Sequence, residues 1–287
     1  MAHFYYICVK NLTLFRSMSK GKILFISQEI SPYLPSTYTS DLGRIIPQAM
    51  QEKGFEVRTF MPRYGVINER RNQLHEVIRL SGMNLVIDDN DHPLIIKVAS
   101  LQPSRMQVYF IDSEDYFLRS AVNSPGLETL VSPDDNDERA IFFARGVLET
   151  VKKLRWDPAI VQCSGWITTL APLYLKKIFA DDPSFKNAKV VLSIGSDSLP
   201  ESLNPKFREK LKMDGFTEDD LIPITDEAAG IKELVSLALR HADAVVQSSA
   251  DVDPELLQMA KDSGKPFMPF ADNDFTVYSE FYESLIR

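Results

Sequence analysis

Glycine is scarce in this chain, 12 residues among 287. None falls in a G-x-G-x-x-G, G-x-x-x-x-G-K-[ST] or G-x-S-x-G order. Those orders let backbone N–H groups close on a phosphate, or present a serine nucleophile on a strand–helix turn. Their absence counts against an unrelated α/β nucleotide-binding enzyme. Cysteine is scarcer still: Cys8 and Cys163 lie far apart, which excludes a disulfide framework and fits a reducing compartment. Four histidines remain. His75-Glu76 opens like H-E-x-x-H, but Arg79 stands where the second histidine belongs, so His75 reads as a helix-face side chain. His241 falls at a helix end, facing the dipole, and His3 lies in the N-terminal stretch. The acidic run at 88–91 lacks the glycine and bidentate glutamate of a calcium loop and reads as a solvated turn. Histidine acid–base chemistry therefore has no candidate, and neither a metal nor a cofactor is implied.

A basic surplus is also missing. With 32 Lys and Arg against 40 Asp and Glu, the net charge of −8 counts against nucleic acid as a partner. No apolar run is long enough to span a bilayer, so no membrane role is expected. The N-terminal MAHFYYICVKNLTLFRS is apolar, but it has no preceding basic residue and no small-x-small cleavage site. Met18 reads as the more natural start. Residues 1–17 are expected to be an extension, disordered or produced by an upstream start, and residues 18–287 a single domain in the cytoplasm.

What is present is alternation. Strand-like runs fall at 23–27, 56–62, 94–100, 107–112, 159–163, 189–194 and 243–248, separated by helix-like patterns at 41–53, 137–155, 167–179, 227–241 and 253–263. Several of the strands are almost wholly apolar, as expected when helices cover both faces of a parallel sheet. The expected fold is α/β: a single Rossmann-like, doubly wound, mainly parallel sheet. Gly54 ends the first helix, Asp253-Pro254 pairs a capping residue with an N1 proline, and Pro133-Asp134-Asp135 opens the long central helix. Residues 68–80 predict a short helix before an inserted hairpin whose turn is 88–93. In such a fold ligands gather at the carboxyl ends of the strands.

Over most of its length the chain resembles the N-terminal half of bacterial glycogen and starch synthases, which have the two-domain GT-B glycosyltransferase fold. The resemblance rests on spaced matches in order: KILFISQEISP; Asp41 with Pro47-Gln48-Ala49-Met50; Gly54-Phe55-Glu56-Val57; Met61-Pro62-Arg63-Tyr64; VYFIDSEDYF at 108–117; Asn136-Asp137-Glu138-Arg139 with Phe142-Phe143; and Trp166, Thr168, Pro172 and Leu175-Lys176. It implies one half of a GT-B fold and α-glucan synthesis as the setting. The implied ligands are a sugar nucleotide, ADP-glucose or UDP-glucose, and an α-glucan.

The departures from that family are equally definite. Where it carries K-x-G-G-L, this chain has Pro35, Thr37, Tyr38 and Thr39, losing a cation and two close backbone approaches. The H-D-W-x-T motif reads Ser164-Gly165-Trp166-Ile167-Thr168, and T-I-H-N reads Ser193-Ile194-Gly195-Ser196. The family's second domain, which supplies most donor contacts, has no counterpart before Arg287. Two readings follow. In one, the chain is a hexosyltransferase half that works with a partner synthase chain. In the other it is a non-catalytic glucan-binding or regulatory protein, alone, as a homodimer or paired with a synthase. Candidate substrate- or glucan-binding residues are Ser27, Glu29, Asp41, Arg63, Tyr64, Trp166, Thr168 and Ser196, with no catalytic residue assigned. Each has a plainer role open to it: Trp166 as core packing, Asp41 as a helix cap, Arg63-Tyr64 as a structural corner.

Overall fold

The computed structural model describes residues 19–118, 135–196, 199, 202–225, 229–272 and 274–287. The expectations for residues 1–17 and for Pro133 and Asp134 lie outside the described residues.

In chain order the elements are β1 (Lys22–Ser27), α1 (Tyr38–Glu52), β2 (Glu56–Pro62), β3 (His75–Glu76), β4 (Met83–Ile87), β5 (Asn90–Leu101), β6 (Met106–Asp112), α2 (Asn136–Lys153), β7 (Ile160–Ser164), α3 (Ala171–Lys177), β8 (Lys189–Ile194), α4 (Phe207–Met213), α5 (Ile231–His241), β9 (Ala244–Gln247), α6 (Pro254–Asp262), β10 (Phe267–Met268) and α7 (Phe275–Ile286). The strands order as β10-β9-β8-β7-β1-β2-β6-β5-β3, with β4 paired to β5. From β10 to β6 every pairing is parallel, and only the β6-β5-β3 edge and the β4–β5 hairpin are antiparallel. This is the mainly parallel, doubly wound α/β sheet expected from the sequence.

Period-2 alternation divides the apolar strands between two faces. Ile23, Phe25, Ile160, Val191 and Ala244 face Ile46 and Met50 of α1 and Tyr278 and Tyr282 of α7. Leu24, Ile26, Val161, Cys163 and Val190 pack with the α2 residues Ala140 to Val151 and with α3. Burial raises the Cys163 thiol well above its usual range, which makes it a core side chain and not a nucleophile.

Local signals set several boundaries. Thr37 caps α1 through a reciprocal capping box with Ser40, Thr37 N donating to Ser40 Oγ at 2.9 Å and Ser40 N to Thr37 Oγ1 at 3.0 Å. Asp253 caps α6 by accepting from Glu255 N and Leu256 N, with Pro254 as the first helical residue. In the β4–β5 hairpin, Asp88 and Asp89 take φ of +47° and +61°, a two-residue primed turn shorter than the expected 88–93 turn.

The short helix expected at 68–80 does not form. Residues 69–73 are turns, and His75–Glu76 joins the sheet opposite Val98 and Lys97. Tertiary contacts outweigh the weak helical pattern here: Val77 N donates to Ile96 O at 2.8 Å, and Arg63 and Lys97 both grip Glu69. His75 is therefore an exposed edge-strand residue, not a helix-face one.

One buried ion cluster ties α2 to α4. Lys210 Nζ, 4% exposed as a residue, lies 2.7 Å from Asp137 Oδ2 and 2.6 Å from Glu138 Oε1. Burial pushes the Asp137 carboxyl up, and Lys210 opposes that shift. Removing the cation would strand a buried carboxylate. Lys210→Met is expected to cost about 3–5 kcal/mol in urea unfolding, whereas Lys210→Met with Asp137→Leu recovers most of it. A single-variant loss under about 1 kcal/mol would show that water reaches the cluster.

Candidate functional site

Parallel register aligns three hydroxyls. Ser27 at the end of β1 pairs with Ser164 of β7, and Ser164 pairs with Ser193 of β8. Residues in register on parallel strands share a face, so the three form a row across the carboxyl end of the sheet. The row lies where the strand order reverses, the chain running from β1 out to β2 and β6 on one side and returning to β7 and then β8 and β9 on the other, the switch point at which open α/β sheets leave a crevice.

The row floors a recess of about 460 Å³, measured to its open mouth. One wall is the first half of α1, with Tyr38, Thr39, Leu42 and Gly43; the others are Gln28 and Glu29, Gly195 and Ser196, and Ser248 and Ser249. Tyr38 reaches across the rim and donates to Ser248 O at 3.0 Å. Burial and then the charges of Asp272 and Asp251 raise the Tyr38 phenol above its usual range, so it stays a neutral donor.

Two close approaches shape the walls. A Cβ on Gly43 would lie 2.2 Å from the Glu29 carbonyl oxygen, so only glycine lets α1 press against the end of the β1 loop. At Gly165, φ is +98°, and a Cβ would meet the Gln28 side chain at 2.4 Å. Gln28 thus occupies the space that a side chain at 165 would need.

The loop from 31 to 41 spends its own polar groups. Asp41 accepts from Ser31 Oγ at 2.7 Å and Ser36 Oγ at 2.6 Å, Thr37 Oγ1 donates to Glu29 Oε2 at 3.1 Å, and Ser40 Oγ donates to Pro35 O at 2.9 Å. The N–H groups of Ser31, Tyr33, Leu34, Thr37, Ser40 and Asp41 all donate within the loop and helix cap. It is a braced corner and not a ring of free N–H donors of the kind that cradles phosphate.

Of the residues singled out in the sequence, Ser27, Glu29 and Ser196 line this recess. Asp41 is not among the lining residues; it lies in the first turn of α1, which Thr37 caps, and braces the loop through Ser31 and Ser36. Arg63 and Tyr64 lie elsewhere, past the end of β2. Arg63 pairs with Glu69, which also takes Lys97 Nζ at 2.7 Å, and Lys97 reaches Asp112 at 2.7 Å. Tyr64 is 1% exposed, edge-on to Phe117, and burial raises its phenol far above the usual range. Thr168 is fully buried and donates to Gly165 O at 2.8 Å, closing the short 3-10 turn Trp166–Thr168. Trp166, 1% exposed, lines a smaller recess of about 310 Å³ with Leu192, Ile194 and Ile231. Ser193 and Gly195 border both recesses.

Gln28, Gln162, Ser248 and Ser249 also line the main recess. Gln28, Ser248 and Ser249 carried the same signal as Ser27, a place at the carboxyl end of an expected strand, and Gln162 carried another: it is the polar interruption of the apolar run AIVQC, and a buried polar group needs a partner. Among the described residues no group of three or more His, Cys, Asp or Glu is placed to hold a metal ion. Among them, too, no helix is long and apolar enough to cross a membrane.

The three motif departures read from the sequence converge on this recess: Tyr38 and Thr39, Ser164, and Ser193 with Gly195 and Ser196 all border it. A family model for the starch synthase catalytic domain matches residues 22–265. This chain belongs to the starch synthase catalytic-domain family. Among curated relatives, the glycogen synthase of Chlorobium luteolum is 38% identical over 192 residues, covering 66% of this chain and 39% of that protein. The glycogen synthase of Chlorobaculum tepidum is 34% identical over 245 residues, covering 82% of this chain and 47% of its own length. The chain thus spans less than half the length of these two relatives. The catalytic domain of starch synthase IV from Arabidopsis thaliana, solved bound to ADP and acarbose, superposes with a TM-score of 0.70 at 16% identity, over 87% of this chain and 51% of that one. At that identity the likeness shows the fold, the glycogen/starch synthase domain of Rossmann-like type.

Two substitutions check the placements. The Ser36 and then the Ser31 hydroxyls hold the Asp41 carboxyl below its usual range, so its contribution is present above the unfolded-state value and is lost as pH falls through the lower folded value. Asp41→Ala is expected to cost about 1 kcal/mol at neutral pH, with the difference from wild type fading below about pH 4 in acid-unfolding curves. Trp166→Ala is expected to lower stability by about 3–5 kcal/mol in denaturant unfolding. A loss of sugar binding with stability intact would instead make Trp166 a platform.

Proposed function

We propose that the recess at the carboxyl ends of β1, β7 and β8 binds a neutral glucose residue of an α-glucan, and that this chain transfers no glucose by itself. Charge carries the reading: among the described residues that line the recess Glu29 is the one Asp or Glu, and none is Lys or Arg. A sugar presents hydroxyls and apolar ring faces, which suit serines, amides and a carboxylate beside Phe25 and Tyr38. A nucleotide diphosphate would meet a carboxylate and a loop in which the N–H groups of Ser31, Tyr33, Leu34, Thr37, Ser40 and Asp41 are already used. Glucosyl transfer also develops negative charge on the leaving diphosphate, and its stabilisation needs preorganised donors or cations. The loss of the family's lysine and two glycines at 35–39, and of its His-Asp pair at 164–165, removes such groups together.

Family membership favours a second reading, in which a partner synthase chain or a second copy completes a cleft for ADP-glucose or UDP-glucose and transfer then occurs. The Arabidopsis domain bound to ADP and acarbose supports nucleotide and sugar as ligand classes for the fold.

Titration calorimetry separates the two. Maltotriose is expected to bind with a Kd of about 0.1–1 mM, an affinity of about −4 to −5.5 kcal/mol, and Glu29→Gln to weaken it about tenfold. ADP-glucose is expected to bind no tighter than glucose, with no glucosyl transfer to glycogen by the purified chain. Transfer by the pure protein, or ADP-glucose binding tighter than maltotriose, overturns the proposal. Transfer that appears only with an added synthase chain supports the second reading.

A further inference from the structure

A hydrogen-bond chain runs from the last helix to the floor of the recess. Tyr282 of α7 is fully buried, its ring edge-on to Phe25 at 6.3 Å, and its hydroxyl donates to Gln162 Oε1. Gln162, 2% exposed, donates from Nε2 to Ser164 Oγ at 3.3 Å. Ser164 is the middle member of the serine row.

The direction of this chain follows from what each group can do. A phenol has one proton, and the aromatic surroundings of Tyr282 favour spending it on the carbonyl oxygen of Gln162. If the amide were turned, its NH₂ would face the phenol oxygen, and the proton of the fully buried Tyr282 would lose its carbonyl acceptor, the costly outcome for a buried donor. With the amide fixed, its N–H points at Ser164 Oγ and makes that oxygen an acceptor on its inner side. The hydroxyl proton of Ser164 is then free to point into the recess.

The opposite walls have the opposite polarity. Gln28 Oε1 is buried and has no hydrogen-bond partner, its Nε2 being used on Glu29 at 3.3 Å. Ser248 Oγ spends its proton on Ile194 O at 3.1 Å and so offers only lone pairs.

We infer that Tyr282 and Gln162 are positioning residues that fix Ser164 as the hydrogen-bond donor of the recess, against acceptors at Gln28 and Ser248, so that the site selects a ligand by the direction of its hydroxyls. The ligand class rests on the glucan reading above, whereas the direction of the chain does not. A bound sugar would turn an oxygen lone pair to Ser164 and hydroxyl protons to Gln28 and Ser248. α7, more than 100 residues away in sequence, would thereby set the polarity of a site it does not line.

Two measurements test this. Neutron diffraction from a deuterium-exchanged crystal of the unliganded chain is expected to show the Ser164 deuteron directed into the recess and a Gln162 Nε2 deuteron directed at Ser164 Oγ. A Ser164 deuteron directed at Gln162 overturns the inference, whatever the ligand. Maltotriose titration supplies the second arm. Tyr282→Phe, which keeps the ring, is expected to weaken binding about fivefold. Ser164→Ala is expected to do the same, and the double variant to be no weaker than Ser164→Ala alone, the sign of a shared pathway. A Tyr282→Phe protein that melts lower yet binds maltotriose as wild type would make the contact merely structural and overturn the inference. If wild type binds no maltotriose while the deuterons lie as expected, the glucan reading falls and the polarity of the site stands.

Discussion

The in-register parallel pairing of β1 between β2 and β7 is the constraint on which the rest of this molecule depends. Because β1 is apolar at successive positions, its side chains need burial on both faces of the sheet, and the chain lays helices on each: α1 and α7 on one, α2 and α3 on the other. The same register aligns Ser27, Ser164 and Ser193 at the strand ends. A slip of one residue would send that row to the opposite face and replace it with apolar side chains. Fold and site therefore share one cause.

The recess so formed belongs to a starch synthase catalytic-domain scaffold, and the motif departures read from the sequence fall in its polar lining. The frame consists of its strands, α1 pressed onto the Glu29 carbonyl at Gly43, and the 3-10 turn closed by Thr168. Among the described residues the polar lining is hydroxyls and amides around a single carboxylate. Such a surface interacts with neutral polyols through many individually modest hydrogen bonds, and it offers little to a diphosphate. Gln28 and Gly165 fit one another, since the glutamine side chain fills the volume a side chain at 165 would occupy. The loop that follows β1 keeps a structural role, because its serines and Asp41 hold the start of α1 in place.

Much of the fold was legible because long apolar runs between breaking residues have few readings. The central strands from 22–27 to 244–247 fall within a few residues of where periodicity placed them, and Gly54 and Asp253-Pro254 mark the boundaries they were expected to mark. The short elements were not legible. β3 and β10 are two residues each and exist only because a neighbouring strand pairs with them; α4 is a single seven-residue helix. The helix expected at 68–80 was lost to contacts with β5 and to Glu69, whose ion pairs come from residues nearby in space only. At the site, Ser27, Glu29 and Ser196 were found from their positions at strand ends, where geometry follows from the fold class alone. The bond between Tyr282 and Gln162 spans 120 residues and leaves no local trace. Arg63 and Tyr64 illustrate the converse: a polar pair after a strand can be taken up by its own ion network and core.

The central claim is that the recess holds a neutral sugar at the serine row, and an amide NMR titration of the chain with maltotriose tests it most directly. Saturable shifts are expected, confined to residues 27–29, 164–165, 193–196 and 248–249, with residues 63–69 unmoved and ADP-glucose producing no larger response at the row. Shifts centred on the Arg63–Glu69 region, or a tighter response of the serine row to ADP-glucose than to maltotriose, would contradict it.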